Sequence, residues 1–127
     1  MSALLCLELS IALWIAHIVV QGVFASSAVG APYLASNRDT PPRGADDLPY
    51  ARATRALRNY IENYVPFVAA DLGLMVTHHA PEWGATIWIL ARIAYLPIFV
   101  AGLSPARTIV WVISVIGLVI MLVSLAL

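Results

Sequence analysis

The sequence predicts an all-α integral membrane protein, a single four-helix transmembrane bundle, and three observations carry that expectation. Of its 127 residues, 61% are hydrophobic and only 11% charged, with a mean hydropathy of +0.87. A soluble domain carries about 25% charged residues, and this chain lacks the polar side chains to cover a water-facing exterior. Four apolar stretches are each long enough to cross a hydrocarbon core of about 30 Å at 1.5 Å per residue. The links between the later stretches are short, which makes neighbouring helices antiparallel.

The same arithmetic points away from a soluble enzyme, a nucleic-acid binder and a disordered chain. Seven arginines and seven acidic residues give zero net charge, with no lysine, so there is no broad basic surface for nucleic acid. All-arginine usage favours fixed, forked hydrogen bonding. A lone cysteine, Cys6, excludes an internal disulfide and a multi-cysteine metal site. Its apolar surroundings in sequence suggest a packed small hydrophobe.

The first helix is expected over about 3–25. Ala25-Ser26-Ser27-Ala28 offers small residues of the kind found at signal-peptide cleavage sites. No Arg or Lys precedes the apolar run, however, and Glu8 interrupts it, so the segment reads as a retained span. Ser10, His17 and Gln21 share one of its faces and suggest interhelical hydrogen bonds.

The stretch of about 26–49 reads as a long polar loop. Pro41, Pro42, Gly44 and Pro49 break regular structure, and Arg38, Asp39, Arg43, Asp46 and Asp47 favour water. Arg38, Arg43, Arg52 and Arg107 gather at this end of the bundle, and the opposite end has no Arg or Lys. The positive-inside rule then puts the loop in the cytoplasm and both termini on the other side.

The second helix, about 50–77, is the least apolar. Arg52, Arg55, Asn59, Glu62, Asn63 and Pro66 fall within an arc of roughly 100°, and Arg58 lies just beside it. Arg58 precedes Glu62 by four residues, a spacing that favours a local ion pair. The bland explanation is a stripe satisfied within the bundle, with its first turns in the headgroup zone where arginine snorkels. The stacking of three arginines, an asparagine and a glutamate favours a buried site for an anion or peptide-like ligand.

The third helix, about 81–103, opens on Pro81 and carries Arg92 near mid-span. Trp88, Arg92, Tyr95 and Phe99 share a face at i, i+4, i+7 and i+11. A mid-span arginine faces protein or water. Glu62 or Asp71 is a candidate to neutralise it, or it lines a ligand cavity beside the Tyr95 hydroxyl. Pro97 is a candidate kink. The fourth helix, about 105–126, opens on Pro105, a residue tolerated in a first turn. Arg107 is its only charge and on its own reads as a topology anchor. His78 and His79 point in different directions on any regular element, so no metal site is expected.

Several of these segments together resemble a known family. Arg55-Ala56-Leu57-Arg58-Asn59-Tyr60-Ile61-Glu62, followed by Pro66-Phe67, resembles the second-helix signature of the MAPEG proteins, membrane-associated proteins in eicosanoid and glutathione metabolism. Arg92-Ile93-Ala94-Tyr95, with Arg107 opening the next helix, is similar to that family's third-to-fourth-helix region. Asn37-Arg38-Asp39 with Pro41-Pro42 resembles its small bacterial branch, which implies a bacterial inner membrane. The resemblance covers nearly the whole chain.

It implies a homotrimer with glutathione as co-substrate, held in cytoplasm-facing clefts between subunits, and no metal. Arg55, Asn59 and Glu62 would hold the charged ends of glutathione, with Arg92 lining the same cleft. Tyr95 and Arg107 would be the catalytic pair, Arg107 stabilising the thiolate that acts as nucleophile. Lipophilic electrophiles or hydroperoxides would arrive from the bilayer, among membrane lipids. The chain departs from the pattern at Phe99, where several members have a second tyrosine. Tyr95 is then the hydroxyl that remains.

The resemblance therefore implies a glutathione-dependent transferase or peroxidase. Two alternatives stand beside it: a non-catalytic member that binds lipid or a partner protein, and a small multidrug-type transporter. The arginine asymmetry, the long polar loop and the arginine-rich second helix argue against the transporter.

Overall fold

Ser2 starts the first helix by accepting a hydrogen bond from the Leu5 amide at 3.2 Å, the N-cap arrangement that satisfies one of the first orphan N–H groups. This helix, α1 (Ala3–Val29), opens the computed structural model, which describes residues 1–127 other than Ala45, His79, Ala80, Pro81 and Glu82. The expectations placed on Pro81 and His79 lie outside the described residues.

α1 stops at Gly30, whose φ of 83° is one that L side chains rarely adopt. The stretch of 26–49 read from sequence as loop is shortened at both ends by α1 and by the helix that starts at Leu48, and it contains one further turn of helix, α2 (Ala31–Leu34), with Pro32 in its first turn. Two bonds fold the following residues back onto it. Tyr33 donates its hydroxyl to the Thr40 carbonyl at 2.9 Å, and Arg38 donates Nη2 to the Leu34 carbonyl at 2.9 Å.

α3 (Leu48–Thr77) begins after Asp47, whose carboxylate accepts from the Tyr50 amide at 3.1 Å, with Pro49 in the first turn. Pro66 lies inside α3, and Pro97 inside α4 (Trp83–Ala101). α4 ends in a Schellman motif: Leu103 N–H bonds to the Ile98 carbonyl at 3.2 Å and Gly102 N–H to Phe99 at 3.0 Å. α5 (Ser104–Ala126) follows immediately and carries Pro105 in its first turn.

Among the described residues three helices, α1, α4 and α5, are long and apolar enough to cross a membrane. With four crossings expected, the exception is α3. It is the longest helix at 30 residues, but Arg52, Arg55, Arg58, Glu62 and Asp71 lower its hydropathy.

α3 and α4 form the middle of the bundle. Among the described residues α1 packs on both and does not touch α5, and α5 packs mainly on α4 and also on α3. The main core holds Cys6, Tyr60, Phe67, Leu74, Trp88, Ile89 and Met121. Phe67 of α3 and Trp88 of α4 stack with ring centroids 3.9 Å apart.

Polar groups in this core are joined differently from the sequence expectation. Ser10 donates to the Leu7 carbonyl at 2.6 Å and His17 Nδ1–H to Leu13 at 2.7 Å, both within α1. A side-chain bond from α3 to α1 comes instead from Tyr60, whose buried hydroxyl donates to the Ser10 carbonyl at 2.6 Å. A hydroxyl or imidazole one turn from a carbonyl of its own helix finds that acceptor without any contribution from packing.

Candidate functional site

A cavity of about 460 Å³ opens where the first half of α3, the second half of α4 and the first turns of α5 meet, within the roughly 300–1,000 Å³ typical of small-molecule sites. α3 contributes Arg55, Arg58, Asn59 and Glu62; α4 contributes Tyr95 and Phe99; α5 contributes Arg107, Thr108 and Trp111. The α3 residues stand at i, i+3, i+4 and i+7 and so share one helical face. Tyr95 and Phe99 are one turn apart on α4, as are Arg107 and Trp111 on α5.

Three arginines and one glutamate leave the walls with two net positive charges. Arg58 Nε donates to Glu62 Oε1 at 3.0 Å, the pair anticipated from their spacing, with side chains 82% and 56% exposed. At that exposure the pair adds little to stability. Arg55 and Arg107 make no ion pair among the described residues, so both guanidinium groups remain available to an anion.

The other side of the cavity is aromatic. Tyr95 and Phe99 lie with ring centroids 5.4 Å apart, and the Arg107 guanidinium sits 5.0 Å from the Phe99 ring centre. A cation over an aromatic face is held by the ring quadrupole. Phe99 has no hydroxyl, and its ring acts as the platform for Arg107. Beneath it Ala56, Tyr95 and Phe99 form a small second core with Leu96 and Val110.

Arg92 stands apart from the other expected site residues. It is completely buried behind the cavity wall. Its Nη1 donates to Asn59 Oδ1 at 2.8 Å, and its guanidinium lies 5.4 Å from the Trp88 ring centre and 5.2 Å from that of Tyr95. Neither acidic residue suggested by the sequence is the partner of this Nη1. Glu62 is engaged by Arg58, and Asp71 lies twelve residues beyond Asn59, about 18 Å further along the helix axis.

Arg52 also parts from its neighbours in sequence. Its Nη1 donates to the Val100 carbonyl at 3.4 Å, placing a cation on the last turn of α4, where the helix dipole favours one. Its guanidinium lies so close to Gly102 that a Cβ there would come within 2.5 Å of Cζ. Arg52 therefore closes the end of α4 and does not line the cavity.

Two lining residues, Thr108 and Trp111, were not singled out from the sequence. The available signal was their position one and four residues after Arg107, which puts Trp111 on the face of α5 that carries the arginine.

The whole of this arrangement falls within one family match: the chain fits the model described as the MAPEG family over residues 3–127. No curated protein and no solved structure matches it. The match, the helical architecture and the three apolar helices agree on an integral membrane protein. With essentially its full length covered, the chain belongs to the MAPEG family.

Proposed function

We propose that the protein is a glutathione-dependent transferase or peroxidase acting on lipophilic substrates from the bilayer. The observation that carries this reading is the cavity in which Arg55, Asn59, Glu62, Tyr95 and Arg107 meet. Glutathione has two carboxylates, an ammonium group and a thiol. Arg55 and Arg58 suit the carboxylates, Glu62 suits the ammonium, and Asn59 suits a peptide oxygen.

Arg107 has the catalytic role in this reading. A guanidinium beside the sulfur favours the thiolate over the thiol. The thiolate sulfur then attacks an electrophilic carbon, the S–C bond forms, and the leaving group departs with its electron pair. Tyr95 offers a hydroxyl hydrogen bond at the same place. With a hydroperoxide, two glutathione thiols are oxidised to the disulfide while the peroxide is reduced to an alcohol and water. Phe99, Tyr95 and Trp111 give the apolar substrate an aromatic wall.

In this reading the active unit is a homotrimer of four-span subunits, with α3 as the fourth span and the site near the cytoplasmic end. Its termini lie on the far side, and a bacterial inner membrane is its location. The exposed face of α3 supports assembly. Val65 and Val76 are 68% and 78% exposed, and Arg58 and Glu62 lie along the same helix. Charged side chains at membrane depth are costly unless protein or water covers them, and neighbouring subunits would provide that cover.

The test is thermal unfolding of the detergent-purified protein with and without millimolar glutathione. Glutathione is expected to raise the Tm, and Arg55→Ala to abolish the rise. Ultraviolet absorbance of bound thiolate is expected in the wild type and lost in Arg107→Ala. A folded oligomer that shows neither a Tm shift nor a thiolate signal would overturn the proposal.

A further inference from the structure

The bond between Arg92 and Asn59 fixes which atom of the asparagine amide faces the cavity. Arginine has only donors. The amide atom 2.8 Å from Arg92 Nη1 is therefore the oxygen. With Oδ1 taken by Arg92, Nδ2 is the amide atom left free to serve the cavity. It has no hydrogen-bond partner within the chain among the described residues, and Asn59 lines the cavity.

Arg92 is well placed to hold the amide in this way. Trp88 and Tyr95 flank its guanidinium, and its Nε and Nη2 are buried without hydrogen-bond partners. The bond to Asn59 is thus its one polar bond among the described residues. A side chain with no exposed surface cannot meet a ligand in the cavity directly.

Resting on the glutathione reading above, we propose that Arg92 is a positioning residue. It locks the Asn59 amide with its NH₂ toward the cavity, so that Asn59 serves solely as a donor to an oxygen or sulfur acceptor of the thiol peptide. The site thereby selects an acceptor atom at that point and rejects a donor. Arg92 contributes to binding through Asn59 and makes no contact of its own.

A double-mutant cycle tests this, with glutathione affinity measured calorimetrically on the detergent-purified protein. Arg92→Met removes the donor while filling the space. Because it also removes two unpartnered buried nitrogens, Nε and Nη2, its Tm is expected to equal or exceed that of the wild type. Its affinity is expected to fall about tenfold, the loss of one well-oriented hydrogen bond. Asn59→Ala is expected to lose a similar factor, and the double variant no more than either single one. Arg92→Lys, which retains a donor, is expected to recover part of the affinity and serves as the second probe if Arg92→Met folds poorly. Asn59→Asp, which accepts from Arg92 but cannot donate, is expected to bind as weakly as Asn59→Ala. Losses that multiply in the double variant would mean that Arg92 touches the ligand itself and would overturn the positioning role alone. No binding of glutathione to the folded wild type would overturn the underlying reading as well.

Discussion

Gly84 of α4 and Gly117 of α5 face each other so closely that a Cβ on either would lie 2.7 Å from the other's carbonyl oxygen. The two backbones meet here without intervening side chains, the close approach that small residues permit between membrane helices. Trp88 and Met121 pack around the crossing. The α4–α5 contact is the most extensive in the bundle, and it sets the spacing of the two helices that bring Tyr95, Phe99 and Arg107 together. Gly117→Ala and Gly84→Ala are each expected to destabilise the protein by about 1–3 kcal/mol, since backbone must move to admit the methyl group. Thermal unfolding in detergent measures this. A wild-type Tm in both variants would show that the helices separate without cost.

Gly102 couples backbone strain to Arg52. Its φ of 78° suits glycine, and the space a Cβ would fill is taken by the Arg52 guanidinium. Gly102→Ala is expected to cost about 1–2 kcal/mol from the left-handed conformation, plus whatever is lost when Arg52 leaves the end of α4. Arg52→Ala alone is expected to cost about 0.3–1 kcal/mol, the worth of a cation at a helix C-terminus. The alanine at 102 should therefore cost less in the Arg52→Ala background than in the wild type, as read by the two differences in Tm.

Tyr60→Phe deletes the buried hydroxyl that donates to the Ser10 carbonyl. Ser10 O remains within the helical hydrogen-bonding of α1, so the cost is that of one neutral hydrogen bond, about 1 kcal/mol. The ring contacts with His17 and Trp88, at centroid distances of 4.4 and 5.7 Å, are kept. Glutathione affinity should be unchanged, because Tyr60 lies in the core and not on the cavity wall.

Phe99 is predicted to matter as a ring. Phe99→Leu removes the face beneath Arg107 and, at about 0.5–1 kcal/mol for an accessible cation–π contact, should weaken the bound-thiolate signal several-fold less than Arg107→Ala does. Phe99→Tyr keeps the platform and should leave the signal at or above the wild-type level. Equal signals in the leucine and tyrosine variants would remove the ring from the account.

The Arg58–Glu62 pair separates stability from binding. Glu62→Gln breaks an exposed i, i+4 pair, so the stability change should stay below about 0.5 kcal/mol. Glutathione affinity should fall by more than that change predicts, because the carboxylate proposed for the ammonium group is gone. Calorimetry and thermal unfolding of the same variant give the two numbers.

Much of this was legible in the sequence because it depends on one helix at a time. Low charge and high hydropathy require a membrane, whatever the contacts between helices. The 3.6-residue repeat alone puts Arg55, Asn59 and Glu62 on one face and Arg58 within reach of Glu62. It likewise groups Trp88, Arg92, Tyr95 and Phe99, all of which are buried. The turn at Gly102 and the caps at Ser2 and Asp47 are equally local, though none of the three was singled out from the sequence.

The remaining features depend on how helices cross. Arg52 and Arg55 fall in the same arc of α3, yet one closes the end of α4 and the other faces the cavity, because α4 ends beside Arg52. Arg92 was as able to meet Glu62 or Asp71 as Asn59 on periodicity alone. The offset between α3 and α4 along their axes puts Asn59 level with it, and the neutral partner leaves the charged residues to the cavity. Trp111 joins the site because the glycine crossing draws α5 against α4. Periodicity determines which residues share a face; the helix offsets and that close crossing determine what each face meets.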